Sequence, residues 1–282
     1  MDEAGSQSPH LEEHQQDQAA EHAPLRALVI HEIIRAEGES ELKRTVPALF
    51  WSGLAAGLSM GFSYVTQALL HSALTDAPWR HAIASFGYTV GFALVVLGRQ
   101  QLFTESTLTA VLPVLTRRDG ATLTAMLRLW GVVLVANLVG TWLFAVALAY
   151  AHPLPPEAAE SLATLASQSV AHPFGHTFIT AIFAGWLIAL MVWLLPSAGT
   201  ARILIIVLLT WVVSLARFSH IIAGSSEAAY AVLTGAATGG DYLMKFLIPT
   251  LLGNTLGGAA LVALLNHAPV KEEMNEAEAP GA

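Results

Sequence analysis

The stretch 214-SLARFSHIIAGSSEAAY-230 decides the fold, because it places polar and charged side chains inside a chain that is otherwise apolar. It continues the run 203-ILIIVLLTWVVSLA-216 and carries Arg217, His220 and Glu227. Ionisable side chains are costly at membrane depth, and they occur there mainly where they face a wet cavity or a partner. The stretch therefore predicts a functional interruption of a membrane-spanning helix.

The composition of the chain indicates a membrane protein. Of the 282 residues, 54% are hydrophobic and 12% are charged, whereas a soluble domain has about 25% charged residues. The run 129–150 is long enough to cross a hydrocarbon core of about 30 Å. No basic tract suggests a nucleic-acid partner, and the lack of cysteine excludes disulfides and thiolate chemistry. We expect membrane lipid as a partner and neither a cofactor nor a metal.

The apolar segments predict six membrane crossings. Four are full spans, at about 45–70, 126–150, 174–195 and 243–266. The remaining segments form two broken pairs, 82–98 with 102–115 and 203–217 with 225–236. A piece of about 16 residues covers only about 24 Å, so each pair is better explained as one interrupted crossing. The fold class is therefore an all-α polytopic membrane protein in which helices 2 and 5 are broken.

A weak internal repeat relates the two halves, about 45–150 and 174–267. Leu97-x-Arg99 recurs as Leu215-x-Arg217, and Asn137-Leu-Val-Gly recurs as Asn254-Thr-Leu-Gly. Three crossings repeated once take opposite orientations in the membrane, and such inverted repeats place a binding site near the midplane. We expect Asn137 and Asn254 to pack helices rather than to contact solute.

The flanking segments complete the domain organisation. Residues 1–24 are polar and predict a disordered tail, 25–44 predict an amphipathic helix on the membrane surface, 45–267 form the channel domain, and 268–282 form an acidic tail. The long loop 151–173 has no Lys or Arg, whereas most other basic residues fall on the opposite side. The positive-inside rule then places both termini in the cytoplasm.

The two breaks hold five ionisable side chains: Arg99 and Glu105 in the first, and Arg217, His220 and Glu227 in the second. The half-helices that follow each break start with free N–H groups, which favour an anion. His220 can change charge near neutral pH, which favours a role in a pore. For the arginines two explanations stay open. They line the pore, or they pair with Glu105 and Glu227 as structural staples.

Several phrases of the sequence resemble the formate/nitrite transporter family. The stretch 102-LFTESTL-108 resembles its helix 2 interruption, and 218-FSHIIA-223 resembles its helix 5 interruption. Further similar phrases follow in the same order, 137-NLVG-140, 176-HTF-178, 190-LMVW-193 and 253-GNTLGG-258. The resemblance covers about residues 30–267.

The resemblance implies a fold, an assembly and a function. It implies an aquaporin-like six-helix protomer, a homopentamer with one pore per protomer, and passage of small monovalent anions across the bacterial inner membrane. It places the central histidine at His220, the pore threonine at Thr104, and the constriction at Leu102 and Phe103. Phe218 and Ser219 lie in the same interruption as His220 and are further pore candidates.

The sequence departs from the family pattern at four positions. Two family glycines fall on Arg99 and Arg217, and the acid beside the central histidine is Ser219. The family's vestibule lysine at the start of helix 4 falls on Pro173. Two accounts of Arg99 and Arg217 stay open. They place at the breaks the positive charge that the family has in its vestibule, or their bulky side chains narrow the pore.

Three functions are compatible with the broken helices. The favoured one is a channel in which His220 gives a hydrogen bond or a proton to a weak-acid anion. The alternative within transport is a channel for a small neutral solute or water, with an arginine excluding cations. An intramembrane hydrolase would use Ser225 or Ser226 as nucleophile and His220 as base, but no oxyanion motif or orienting acid accompanies them. We expect a transporter and not an enzyme.

Overall fold

Helices supply all the regular secondary structure in the residues that the computed structural model describes, namely 10–12, 14–16, 18, 23–263 and 265–271. The first helices are α1 (Ala27–Leu42), α2 (Val46–Ala73), α3 (Arg80–Leu97), α4 (Phe103–Thr109), α5 (Val111–Arg117) and α6 (Gly120–Ala151). The others are α7 (Pro156–Ser169), α8 (Phe174–Leu194), α9 (Arg202–Leu215), α10 (Ala223–Leu233) and α11 (Gly239–Lys271). The predicted tails at 1–24 and 268–282 fall largely outside the described residues.

The helices correspond to six crossings with two interruptions. Helices α2, α3, α6, α8 and α11 are long and apolar enough to span a membrane, and α9 is a shorter apolar helix. The interrupted crossings are α3 with α4 and α5, and α9 with α10. The predicted all-α polytopic architecture is confirmed.

Both long pieces of the interrupted crossings end in the same left-handed turn. At the end of α3, Gln100 N–H bonds the carbonyl of Val95, and Arg99 has φ of 53°. At the end of α9, Phe218 N–H bonds the carbonyl of Val213, and Arg217 has φ of 54°. This is the Schellman pattern of helix termination, whose left-handed position is usually glycine. The two breaks are thus built alike, although an arginine occupies each glycine position.

Asn137 on α6 ties the first break together. Its Oδ1 accepts a hydrogen bond from Phe103 N–H at 2.9 Å. Its Nδ2 donates to the carbonyls of Gln101 and Gly53 at 2.9 and 2.7 Å. Backbone outside a helix is tolerated at membrane depth only when its polar groups are satisfied inside the protein. This single amide satisfies two polar groups of the break and also bonds a carbonyl of α2.

Asn254 on α11 does the same for the second break. Its Oδ1 accepts from Ile221 N–H at 2.8 Å, and its Nδ2 donates to the carbonyls of Ser219 and Ala181. Both asparagines are fully buried. The repeated phrase marks a pair of equivalent structural clamps, and the contacts found for their side chains are to backbone.

The glycine that ends each repeated phrase permits close helix packing. A Cβ added to Gly140 would lie 2.6 Å from the carbonyl oxygen of Leu54, and one on Gly257 would lie 2.1 Å from that of Ile182. Real Cβ atoms do not approach that closely, so α6 must meet α2, and α11 must meet α8, through glycine. Close approach of these helices keeps each asparagine within reach of its break.

The segment 151–173, described above as a loop, contains helix α7. Pro156 occupies its first position, and Glu157 follows in its first turn, as helix N-termini favour. Leu162 and Leu165 are buried on one side, and the Tyr64 hydroxyl donates to the Leu162 carbonyl at 2.5 Å. A short amphipathic helix therefore covers one end of the protein in place of an irregular loop.

The helix predicted at 25–44 is α1, which packs over the first break. Ile30, Ile34 and Leu42 are buried on its inner side. On its outer side Arg35 forms ion pairs with neighbouring glutamates on the same helix. Near the other end of the chain, α11 runs from Gly239 to Lys271 and is longer than the span predicted at about 243–266.

Candidate functional site

Two cavities approach the centre of the protein, one beside each break. The first, which we call the first vestibule, has a volume of about 710 Å³, and the residues of its wall used below are Glu37, Glu41, Arg99, Gln100, Gln101 and Glu105. The second, the second vestibule, has a volume of about 290 Å³, and Gln168, His172, Arg217, Ser219, His220 and Glu227 line it. Their walls share no residue in the described part of the chain. The two vestibules are therefore separated by a packed layer.

Thr104 and His220 meet in this layer. Thr104 Oγ1 and His220 Nε2 are 2.9 Å apart, and the two residues are 0% and 1% exposed. His220 lines the second vestibule, while Glu105, the next residue after Thr104, lines the first. The hydrogen bond thus joins the two breaks across the barrier between the vestibules.

The surroundings of His220 determine which ring nitrogen carries the proton. Its Nδ1 lies 3.3 and 3.1 Å from the N–H groups of Ile222 and Ala223, and it accepts from them. The Nε2 atom of the neutral imidazole then carries the hydrogen and donates it to Thr104. The edge of Phe92 packs on the ring with centroids 5.0 Å apart. His220 is held as an oriented hydrogen-bond donor.

Phe103 and Leu102 are both buried beside the first break. The Phe103 ring packs on Trp130 at 5.8 Å and lines a third, apolar cavity between α6 and α11 of about 510 Å³. Leu102 is buried in the core and lines none of the three cavities. The N–H of Phe103 bonds Asn137 of α6. The constriction at Leu102 and Phe103 stays a prediction.

Phe218 and Ser219 lie on the wall of the second vestibule. Phe218 stacks on Phe183 with ring centroids 5.2 Å apart, and Ser219 Oγ is 3.2 Å from Thr180 Oγ1. Both residues are half-buried. Their roles in the passage of solute remain predictions.

The arginines of the breaks do not form the staples considered above. Arg99 pairs with Glu37 of α1 at 2.8 Å, and its side chain is 69% exposed. Arg217 donates from Nη1 to Gln168 Oε1 of α7 at 3.3 Å. The left-handed turn carries each side chain outward to the rim of its vestibule, away from the carboxyl group of its own break. Among the described residues, the partners found for Arg99 and Arg217 are Glu37 and Gln168 and not Glu105 and Glu227, so the staples are wrong. Whether the arginines narrow the pore stays a prediction.

Arg217 is the fixed positive charge of the second vestibule. Pro173 stands where the family pattern has a lysine, and the neighbouring His172 also lines this vestibule. Burial lowers the pKa of His172, and the nearby His176 and Arg217 lower it further. An arginine stays charged at any pH of interest, so Arg217 gives the wall of this vestibule a permanent positive charge.

The first vestibule contains an acidic residue that the sequence did not single out. Glu41 on α1 accepts hydrogen bonds from Thr109 Oγ1 at 2.6 Å and Gln101 Nε2 at 2.7 Å. Burial raises the pKa of the Glu41 carboxyl, although these two bonds oppose the shift. One signal was present in the sequence: Glu37 and Glu41 are four residues apart on one helix face. Their contact with the break, about sixty residues away, required the tertiary structure.

Ser225 and Ser226 do not form a nucleophile–base pair with His220. Ser225 Oγ contacts Tyr242 Oη at 2.7 Å and Thr141 Oγ1 at 3.2 Å. The buried Ser226 hydroxyl has no partner among the described residues, and His220 Nε2 is bonded to Thr104. Within the described part of the chain, no group of three or more His, Cys, Asp or Glu residues could hold a metal.

Comparison with known proteins identifies the family. The profile of the formate/nitrite transporter family matches residues 28–268. The chain belongs to this family. It is similar to the inner membrane protein YfdC of Escherichia coli (strain K12), with 41% identity over 252 residues, 89% of this chain and 81% of that protein. It is also 25% identical over 246 residues to the formate channel FocA of Haemophilus influenzae (strain ATCC 51907 / DSM 11121 / KW20 / Rd), covering 77% of this chain and 85% of that protein.

Solved structures show the same fold. One described as an FNT family ion channel aligns with a TM-score of 0.74 at 20% identity, covering 85% of this chain and 98% of that one. One described as a pentameric formate channel with formate bound aligns with a TM-score of 0.68 at 20% identity, covering 78% and 95%. The formate/nitrite transporter resemblance is confirmed. The protein is a multi-pass membrane transporter or channel of that family and not an enzyme.

Proposed function

We propose that this transporter is a channel for small monovalent weak-acid anions such as formate or nitrite. The observation that supports it best is the Thr104–His220 hydrogen bond, which lies between two vestibules and orients one polar hydrogen in an otherwise apolar layer. Among the described residues, His220 is the partner found for the Thr104 hydroxyl, whose own hydrogen is then available to a solute. A donor at this point suits an anion better than a cation.

Arg217 attracts the anion into the second vestibule, and the central Thr104 hydroxyl guides it across the barrier. A bare anion in an apolar layer is expensive, so a directed hydrogen bond from Thr104, whose hydroxyl His220 orients, lowers the cost at the narrowest point. His220 acts here as a hydrogen-bond donor because backbone N–H groups occupy its Nδ1. This refines the expectation that it gives either a hydrogen bond or a proton.

The assembly and orientation follow from the same proposal. We propose a homopentamer with a pore in each protomer, placed in the bacterial inner membrane with both termini in the cytoplasm. A pentameric structural relative and an inner-membrane sequence relative support this. The basic residues Arg44 and Arg202 line the first vestibule, which supports a cytoplasmic position for it under the positive-inside rule.

The proposal is tested by current measurements on the purified protein in planar bilayers. We expect anion-selective current under formate or nitrite gradients, and we expect His220→Ala to reduce it by about tenfold or more. A hydrogen bond to a charged group contributes about 1.5–3 kcal/mol, and Thr104 offers this bond to the anion only while His220 holds its hydroxyl in place. His152→Asn is the matched control, because His152 is exposed in a left-handed turn that Asn tolerates. Formate current in His220→Ala equal to that of the unmodified protein would contradict the proposed role.

A channel for a neutral solute is the second candidate, and one observation favours it. Gln100, Gln101 and Glu105 in the first vestibule present acceptor oxygens that have no partner among the described residues. A solute with N–H or O–H groups would satisfy them. Osmotic swelling of proteoliposomes in urea or glycerol, without current in any anion gradient, would select this candidate.

A further inference from the structure

One acidic side chain on the wall of the second vestibule has no role in the proposed passage of anions. Glu227 is half-buried, whereas every other residue from His220 to Ala231 is buried. The accessible surface of Glu227 therefore faces the vestibule that it lines. Among the described residues, no hydrogen bond or ion pair is found for its carboxyl group. A charge at membrane depth is costly without a partner, so this position favours a ligand that supplies one.

Aromatic rings lie next to this carboxyl group. Gly224 is three residues before Glu227 and on the same face of α10. A Cβ added to Gly224 would lie 2.7 Å from the ring of Phe246, so this ring packs on α10 beside Glu227. Tyr88 lines the same vestibule, and the charge of Glu227 acts on its hydroxyl, so these two groups are also neighbours.

A carboxylate beside aromatic rings is a combination that binds organic cations. Ring faces attract ammonium and guanidinium groups, and a carboxylate with both oxygens free can accept two parallel N–H bonds from a guanidinium. A metal ion such as calcium needs several oxygen ligands at once. The described residues contain no group of three or more His, Cys, Asp or Glu that could hold one. The wall around Glu227 therefore suits an organic cation better than a metal ion.

Arg217 does not supply this positive charge. Its side chain is exposed and bonds Gln168 of α7, and in the described part of the chain no ion pair joins it to Glu227. The vestibule thus contains a positive group at its rim and a separate, unpaired carboxyl group. An anion in this vestibule is attracted by the first and repelled by the second whenever that carboxyl group is ionised.

We propose that Glu227 and the rings of Tyr88 and Phe246 form a binding site for a small organic cation with N–H groups, of the ammonium or guanidinium type. The bound cation neutralises the carboxylate and so lowers the cost of an anion in the second vestibule. The cation site itself does not depend on the proposed function. Its effect on anion current rests on that function.

Binding is measured by saturation-transfer NMR on the full-length protein in detergent. The probe is methylguanidinium, which is permanently charged, and its matched control is tetramethylammonium, which has the same charge and no N–H group. We expect methylguanidinium to bind about tenfold or more tightly than tetramethylammonium, because only it can donate hydrogen bonds to the carboxylate. Glu227→Gln should weaken methylguanidinium binding by about tenfold or more. Glu160→Gln, at an exposed position on α7, should leave it unchanged.

The effect on transport is measured as formate current in planar bilayers at constant ionic strength. Methylguanidinium or tetramethylammonium is added on the side of the second vestibule. Methylguanidinium should raise the current of the unmodified protein by about twofold or more, since it cancels a like charge on the path of the anion. It should leave the current of Glu227→Gln unchanged.

Two binding results would overturn the site. Methylguanidinium could bind no more tightly than tetramethylammonium, or it could bind Glu227→Gln as tightly as the unmodified protein. The comparison of the two probes on the unmodified protein decides the question even if Glu227→Gln does not fold. Binding without a rise in formate current would overturn the neutralising role. If methylguanidinium binds but the protein carries neither formate nor nitrite, the site is supported and the proposed function alone fails.

Discussion

The two break arginines occupy backbone positions that suit glycine better. Arg99 and Arg217 have φ of 53° and 54°, a region that costs a residue with a Cβ about 1–2 kcal/mol. Both side chains reach the rims of vestibules, and Arg217 provides the fixed positive charge of the second. The protein keeps charge at a place where backbone geometry opposes it, which is typical of functional positions.

Arg217→Gly should therefore stabilise the protein and weaken its function. We expect a gain of about 0.5–1 kcal/mol, because relief of the left-handed turn exceeds the added freedom of glycine in the unfolded chain. The bond that is lost, to Gln168 at 3.3 Å, is weak. Thermal unfolding in detergent and anion selectivity in bilayers are the two measurements. Arg217→Ala is the control: it loses the charge without relieving the turn, so a gain of equal size in that variant would contradict the explanation.

Asn254 gives the second residue-scale prediction. Asn254→Ala leaves the Ile221 N–H and the carbonyls of Ser219 and Ala181 without their partner. Each buried group left unsatisfied costs about 1–3 kcal/mol, so we expect a loss of about 3 kcal/mol or more. The measurement is the unfolding midpoint in detergent. The control is Asn266→Ala, at a half-buried position on the same helix, and an equal loss in both variants would contradict the clamp.

At the scale of elements, α1 is coupled to the first break through ionisable groups. Glu37 bonds Arg99 in the left-handed turn, and Glu41 bonds Gln101 just before α4. Thr109 at the end of α4 holds the other oxygen of Glu41. The helix predicted to lie on the surface therefore also forms one wall of the vestibule.

Docking of α1 should weaken as pH rises. Burial raises the pKa of Glu41 above its ordinary value of 4.5. The Glu41 carboxyl therefore binds its proton more tightly in the folded protein than in the unfolded chain. Its contribution to the free energy of α1 docking is full below pH 4.5 and declines as the pH rises through the raised pKa. The stability of α1 docking is measured by hydrogen exchange of the α1 amides at about pH 5 and about pH 8, corrected for intrinsic rates. The amides should be less protected at the higher pH.

Glu41→Gln should remove this dependence. Glutamine keeps an acceptor for Thr109 or Gln101 but cannot ionise, so protection of α1 should change little between the two pH values. Glu39→Gln, on the same helix and outside the vestibule, should keep the pH dependence of α1 protection that the unmodified protein shows. If Glu41→Gln kept that pH dependence, another group would be responsible for it.

At the scale of the whole molecule, assembly is the main prediction. Native mass spectrometry of the detergent-solubilised protein should give about 150 kDa, five copies of the 29.9 kDa chain, since a pentameric structural relative shares its fold. A monomer or a trimer under conditions that preserve function would contradict the pentamer. Each protomer already contains both breaks and both vestibules, so the pore does not depend on a shared interface.

Much of the architecture was predictable from composition and pattern. Long apolar runs give the crossings, and short apolar pieces beside polar residues locate both breaks. Helix α7 was missed because the segment 151–173 is rich in Pro and polar residues. The buried face of this helix is recognised only from its contacts with Tyr64 and α10. The constriction expected at Leu102 and Phe103 stays a prediction, because the packing of Phe103 on Trp130 is set by helices far apart in the chain.

The amino-acid sequence by itself determined the membrane environment, the two interruptions, the inverted repeat and the family. These depend on the transfer of segments out of water, which composition and periodicity record directly. Only the tertiary structure decided which partners the ionisable groups have: Glu37 for Arg99, Gln168 for Arg217, Thr104 for His220, and none for one oxygen of Glu105 among the described residues. Each of these depends on distances of a few ångströms between helices far apart in the chain, which are set by packing.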